Sequence, residues 1–272
     1  MNGEDATALA GRLSAAGLDW IVPDWPAPPD AGALATTRRG GVSGGPWATM
    51  NLGRSGRDDA SALAENRRRL TAFLPSPPVW LDQVHGTAVA VLTRDSAALP
   101  APVADAAVTR DRGVVCAILT ADCLPVLFTD RGGTAVGIAH AGWRGLSAGV
   151  LEATIAALCA LGAHRDDLMA WLGPAIGPAR FEVGADVRDA FCADDRGTEN
   201  CFTPHLPGKW HADLCGLARR RLARGGVTRV SGGGFCTYDD AARFFSYRRE
   251  RESGRMAAAV WLAPEQAKSP CV

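Results

Sequence analysis

The chain has 272 residues, 47% of them hydrophobic, and Lys+Arg and Asp+Glu both total 29, so its formal net charge is zero. That length can bury a core without staples, and with this charge balance no basic stripe recommends nucleic acid or an anionic membrane as a partner. No window reaches the ~18 uninterrupted apolar residues of a membrane span, and Glu4 and Asp5 stand where a secretory signal is basic, so a cytoplasmic location is expected.

In chain order, Ala6 to Ala16 predicts a short helix ended by Gly17, and Pro23 to Pro29 an extended connector. No linker divides the chain after that, so residues 1–30 read as an N-terminal extension and 31–272 as one domain. Leu34 to Arg38 predicts a strand and Asp58 to Leu74 an amphipathic helix, with Asp58 and Asp59 favouring its N-terminus. The arginine runs 67–69 and 219–221 lie in helical patterns and read as solvated faces. Residues 79–81 and 88–92 predict two strands joined across Asp82-Gln83-Val84-His85-Gly86, which puts His85 on a turn or bulge.

Val114 to Leu119 and Leu124 to Phe128 read as a buried strand run. Arg131-Gly132-Gly133 follows as the turn, and Thr134 to Ala139 as the return strand. Gly142-Trp143-Arg144-Gly145 then leaves the strand, and Leu146, Val150, Leu151, Ile155, Leu158 and Leu161 recur at helical spacing up to Gly162, a C-terminal cap. Later segments predict a strand over 168–172, a rigid Gly-Pro loop over 173–178, helices over 185–193 and 212–224, and strands over 227–230 and 256–261. Interleaved strands and helices with several hairpins indicate an α+β, or mixed α/β, fold with mixed sheets and outer helices.

The eight cysteines form no CxxC pair, so most read as buried small hydrophobes. Cys123 differs because it precedes the strand that faces His140, and small residues bracket both His140 and His85. Separations of 38 residues (His85 to Cys123) and 17 (Cys123 to His140) rule out a zinc finger or ribbon. Three readings stay open: a three-ligand zinc site with a free fourth position, a metal-free Cys–His nucleophile pair, or a buried thiol beside two hydrogen-bonded imidazoles. A strand-to-helix junction after His140 could hold an anion at Arg144. Gln83 and Asp122 adjoin the candidate ligands, Arg248 is a candidate for a phosphate or carboxylate, and His211 precedes a helix.

The motifs LDQVHG, TADCLPVLF, AHAGWRG, LGPAIGPARFEVG and FFSYRRERESGRMA, spread between about Thr36 and Leu262, resemble the signatures of the YfiH-type laccase-domain family. That family is described as polyphenol oxidase, as peptidoglycan editing factor, and as zinc-dependent purine nucleoside phosphorylase with adenosine deaminase and methylthioadenosine phosphorylase activities. Its fold is similar to that of cysteine hydrolases of the cytotoxic necrotising factor type. The resemblance implies that His85, Cys123 and His140 hold a catalytic zinc, with adventitious copper able to enter the open position. It further implies small nucleosides and phosphate as partners, for which Arg144, Arg248 and Gln83 are the candidate binding residues, and it leaves the oligomeric state undetermined. Arg54-Ser55-Gly56 and Gly234-Phe235 depart from its pattern. Five histidines with no His-x-His pair cannot build a four-copper oxidase, so a nucleoside enzyme is expected first and an amidase-like editing hydrolase second.

Overall fold

A computed structural model describes residues 6–54 and 58–265; Ser55, Gly56 and Cys271 lie outside them. The strands are β1 (Ala31–Ala35), β2 (Val79–Trp80), β3 (Val89–Val91), β4 (Ala106–Thr109), β5 (Val115–Thr120), β6 (Leu124–Asp130), β7 (Val136–Ala141), β8 (Leu168–Leu172), β9 (Glu182–Gly184), β10 (Phe202–Pro204), β11 (Lys209–Ala212), β12 (Arg229–Gly232) and β13 (Met256–Leu262). The helices are α1 (Ala6–Ala15), α2 (Ala60–Thr71), α3 (Trp143–Ala148), α4 (Val150–Ala160), α5 (Ala185–Cys192), α6 (Leu214–Arg224) and α7 (Tyr247–Glu250).

Two sheets lie face to face. One has the order β1-β13-β5-β2 and the other β12-β8-β6-β7-β4-β3, while β10-β11-β9 form a small third sheet. Both large sheets mix parallel and antiparallel pairs: β6 and β7 run antiparallel, whereas β2 with β5, β3 with β4 and β12 with β8 run parallel. Period-two alternation explains the layering. Cys116 and Ile118 of β5, Ala258 and Val260 of β13, Leu127 of β6 and Ile138 of β7 fill the space between the sheets. Val115, Ala117, Ala257 and Ala259 face the other way, onto Leu9 and Leu13 of α1 and Leu70 of α2. Val126, Phe128 and Ala139 face Leu151, Ile155 and Leu158 of α4. Strands buried on both sides read as continuous apolar runs, which is why β5, β6 and β13 were visible in the sequence. The helix over residues 6–15 therefore belongs to the core, although its segment reads as an extension.

Several expected elements change. The run over 114–128 is two strands in different sheets, separated by Ala121-Asp122-Cys123, with Asp122 at φ 88°. Residues 79–80 and 89–91 likewise belong to different sheets, and the chain crosses between them through His85 at φ 62°. Both segments looked like local pairs because the sequence shows apolar stretches but not their partners. The helix expected over 146–161 is broken at Gly149, whose φ of 103° only glycine adopts readily, giving α3 and α4. Strand β4, between β7 and β3, had no counterpart among the expected elements, nor had the small third sheet. Among the described residues no helix is long and apolar enough to cross a membrane.

Candidate functional site

Both crossings between the sheets end at the same place. His85 comes from the first, Cys123 from the second, and His140 from the end of β7, where Pro125 pairs with His140. Their donor atoms lie within 4.8 Å of one another. The Cys123 Sγ to His85 Nε2 distance is 3.9 Å, and the two imidazoles meet edge to face at 4.8 Å between centroids. Tetrahedral bonds of about 2.0–2.3 Å place ligand atoms about 3.5 Å apart, so a small contraction closes this set around one ion.

Asp105, which is not among the residues singled out from the sequence, organises the two histidines. Its carboxylate is fully buried and accepts from the backbone N–H of Val84, His85 and Gly86 at 3.1, 2.9 and 2.6 Å. It also faces His140 Nδ1 at 2.9 Å, and its carbonyl accepts from the His140 backbone N–H at 2.7 Å. One carboxylate thus fixes the bend that carries His85 and, by accepting a hydrogen bond from Nδ1–H of His140, leaves Nε2 of the neutral ring as a lone-pair donor. Burial works against this charge, but His140 and the N–H groups of Gly86 and Val84 more than offset it, and the Asp105 carboxyl is held below the ordinary aspartate range.

Electrostatics also prepare the sulfur. Burial opposes a thiolate, yet His140 and then His85 bring Cys123 well below the usual thiol range. Burial alone lowers His140, but the Cys123 sulfur first and the Asp105 carboxylate next reverse this. A soft thiolate with two imidazoles, one of them backed by a carboxylate, is a donor set that suits zinc.

Glycines make the convergence sterically feasible. A Cβ on Gly142 would lie 3.0 Å from Cys123 Sγ and 3.1 Å from His85 Cδ2, while one on Gly145 would lie 2.7 Å from the Gly86 carbonyl oxygen. Gly142→Ala is expected to weaken metal binding by about 10-fold or more while leaving the fold intact, by analogy with perturbing groups that orient ligands. Competition with a chromophoric chelator measures this, and unchanged affinity would remove the glycine from the account.

The three side chains border an open cavity of about 750 Å³, whose wall includes Trp80, Gln83, Tyr247 and three arginines, Arg54, Arg67 and Arg255. Gln83 lies there, but its amide is spent on Leu119: Nε2 donates to the carbonyl at 3.0 Å and Oε1 accepts from the N–H at 2.8 Å. Asp122 is a brace; it accepts from Thr237 Oγ1 at 2.6 Å and from the Arg248 N–H at 2.7 Å. Arg144 and Arg248 are not part of this wall. Arg144 is exposed, with its guanidinium 4.4 Å from the Trp143 ring centroid, and Arg248 donates to the Glu182 carbonyl at 2.9 Å. His211 sits in the small sheet, stacked on His205 at 4.2 Å.

Arg67 corrects the expectation that the 67–69 run is only a solvated face, since it is half-buried against the cavity with its guanidinium 4.7 Å from the Trp80 ring. A signal existed: Arg67 is four residues after Leu63 and three before Leu70, on the inward side of α2. For Asp105 the signal was a lone acid at the start of the apolar run Ala106-Ala107-Val108, since a buried carboxylate requires several donors.

A family model described as multi-copper polyphenol oxidoreductase laccase matches residues 32–263. A Pseudomonas aeruginosa protein named purine nucleoside phosphorylase is 54% identical over 244 residues, covering 89% of this chain and 98% of that protein. Escherichia coli YfiH, named purine nucleoside phosphorylase, is 50% identical with the same coverage. Among solved structures, a Neisseria meningitidis protein superposes with a TM-score of 0.86 at 46% identity, covering 90% of this chain and 99% of that one. YlmD from Geobacillus stearothermophilus gives 0.81 at 32% identity, covering 90% and 96%. With a family model spanning nearly the whole described chain, and near-full-length relatives at half identity or more, the protein belongs to the YfiH-type laccase-domain family.

Proposed function

We propose that this protein is a zinc-dependent purine nucleoside phosphorylase acting on adenosine, inosine and methylthioadenosine, with adenosine deaminase activity at the same site. The observation that carries this reading is the convergence of His85, Cys123 and His140 on the wall of one cavity. Its volume, about 750 Å³, lies within the range of small-molecule sites. Names given to the relatives support the phosphorylase reaction. Copper oxidase chemistry is disfavoured by the donor count: two of five histidines enter the cluster, and a blue site plus a trinuclear site needs many more.

Bound zinc supplies Lewis acidity and lowers the pKa of water. The chain does the rest. Asp105 fixes the tautomer of His140 and the bend of His85, and Trp80 and Tyr247 line the cavity, where aromatic side chains can pack against a purine. Phosphorolysis converts adenosine and phosphate to adenine and ribose 1-phosphate; deamination converts adenosine and water to inosine and ammonia.

Zinc-loaded enzyme is expected to release adenine from adenosine only when phosphate is present, and to form inosine without it. Chelation should stop both together, because one metal site serves them, and chromatography of the products reads each. If neither product forms while a serine-containing muropeptide precursor is cut, the editing hydrolase replaces this reading.

A further inference from the structure

We propose that Arg54, Arg67 and Arg255 form an anion subsite in the cavity beside the His–Cys–His group, and that it takes a phosphoryl group. The three line one cavity together with a single acidic side chain, Asp82. Among the described residues none of them forms an ion pair, whereas arginines elsewhere, such as Arg38, Arg112, Arg220 and Arg221, are paired with carboxylates.

Their free donors are countable. Arg67 spends Nε and Nη2 on the Leu52 carbonyl, at 3.2 and 2.8 Å, and Arg255 spends Nη1 on Ser253 and Gly254. Nη1 of Arg67, Nε and Nη2 of Arg255 and the whole guanidinium of Arg54 have no hydrogen-bond partner among the described residues. Burial, followed by the nearby Arg54, pushes Arg67 down to about 10. Arg54 is exposed while Arg67 and Arg255 are half-buried; like charges gathered on one cavity wall cost free energy unless an anion joins them, and planar guanidinium forks match the oxygens of a phosphoryl group.

The arrangement is built rather than incidental. Residues 49–54 have no strand or helix, yet two buried amides hold them. Asn66 Nδ2 donates to the carbonyls of Thr49 and Asn51 at 3.1 and 2.9 Å. Asn51 Oδ1 accepts from the N–H of Gly53 and of Arg255 at 3.0 and 2.9 Å. Leu52 N–H donates to the Arg255 carbonyl at 3.0 Å. Gly53 is required there, since a Cβ on it would lie 2.6 Å from Arg255 Cγ. The irregular segment that bears Arg54 is therefore locked to Arg255 by its backbone and to Arg67 by its Leu52 carbonyl.

Two sources carry this chemistry: inorganic phosphate as co-substrate, which rests on the phosphorolysis proposed above, and the ester phosphate of a nucleotide, which does not. The test uses the zinc-loaded full chain. Calorimetric titration with sodium phosphate, at ionic strength matched with sodium chloride, is expected to show saturable binding that weakens roughly tenfold or more in Arg54→Ala. Arg255→Ala, whose backbone contacts survive, is expected to do the same. In turnover, the KM for phosphate should rise more than the KM for adenosine. Tighter binding of AMP than of adenosine, lost in the variants, would identify ester phosphate; a phosphate effect without an AMP advantage would identify the inorganic ion. Lost phosphate binding without adenine release in any variant would keep the subsite and remove phosphorolysis. Equal phosphate binding in the parent and both variants, or loss only in Arg144→Ala, would overturn the subsite even if adenine is released.

Discussion

Cys123→Ala is expected to abolish stoichiometric zinc and, with it, both adenine and inosine formation. The sulfur is the one anionic donor of the three, and His140 and His85 already favour its thiolate. With two imidazoles left, one of them exposed, the site loses its charge complement to a divalent cation. The fold should survive. Cys123 belongs to none of the apolar clusters, so the metal-free variant should lose only about 1 kcal/mol, within the usual range of single substitutions. Added zinc should stabilise the parent by mass action and leave the melting temperature of the variant unchanged. Elemental analysis beside a thermal scan separates the outcomes: full activity and one zinc per chain in Cys123→Ala would sink the site.

The sequence displayed the three converging side chains more clearly than their setting. His85, Cys123 and His140 stood out because chemistry-bearing side chains sit among small residues, and all three reach one point. What stayed hidden was long-range. Strand β5 pairs with β13, some 140 residues away, and β6 pairs with β7 in another sheet. Apolar alternation identifies a strand without naming its neighbour, so residues 114–128 resembled one run although the chain changes sheets at Asp122. Groups that meet only in the fold were hidden for a related reason. Arg144 drew notice from its local strand-to-helix junction, while Arg54, Arg67 and Arg255 come together only through buried Asn51 and the Leu52 backbone.

Asp105→Asn tests the organiser behind the ligands, and it should weaken zinc binding by about 10–100-fold. The carboxylate meets four N–H donors with two oxygens: Oδ1 faces His85 N and His140 Nδ1, and Oδ2 faces Val84 N and Gly86 N. An amide has only one oxygen, so in either orientation its NH2 meets two donors. Each buried donor left unmatched costs about 1–3 kcal/mol, enough to unfold a marginal protein or shift the bend bearing His85. If the NH2 faces His140, the ring is driven to the tautomer that accepts at Nδ1 and is protonated at Nε2, the atom needed for metal. Acidity supplies the sign check. The Asp105 carboxyl is depressed in the folded state, so its stabilisation is complete above the ordinary aspartate value of about 4 and is lost as pH falls through the lower folded-state value. The stability gap between parent and variant should therefore be widest near neutral pH and narrow only in acid. A gap independent of pH, with zinc affinity unchanged, would show that Asp105 fills space without organising the two histidines.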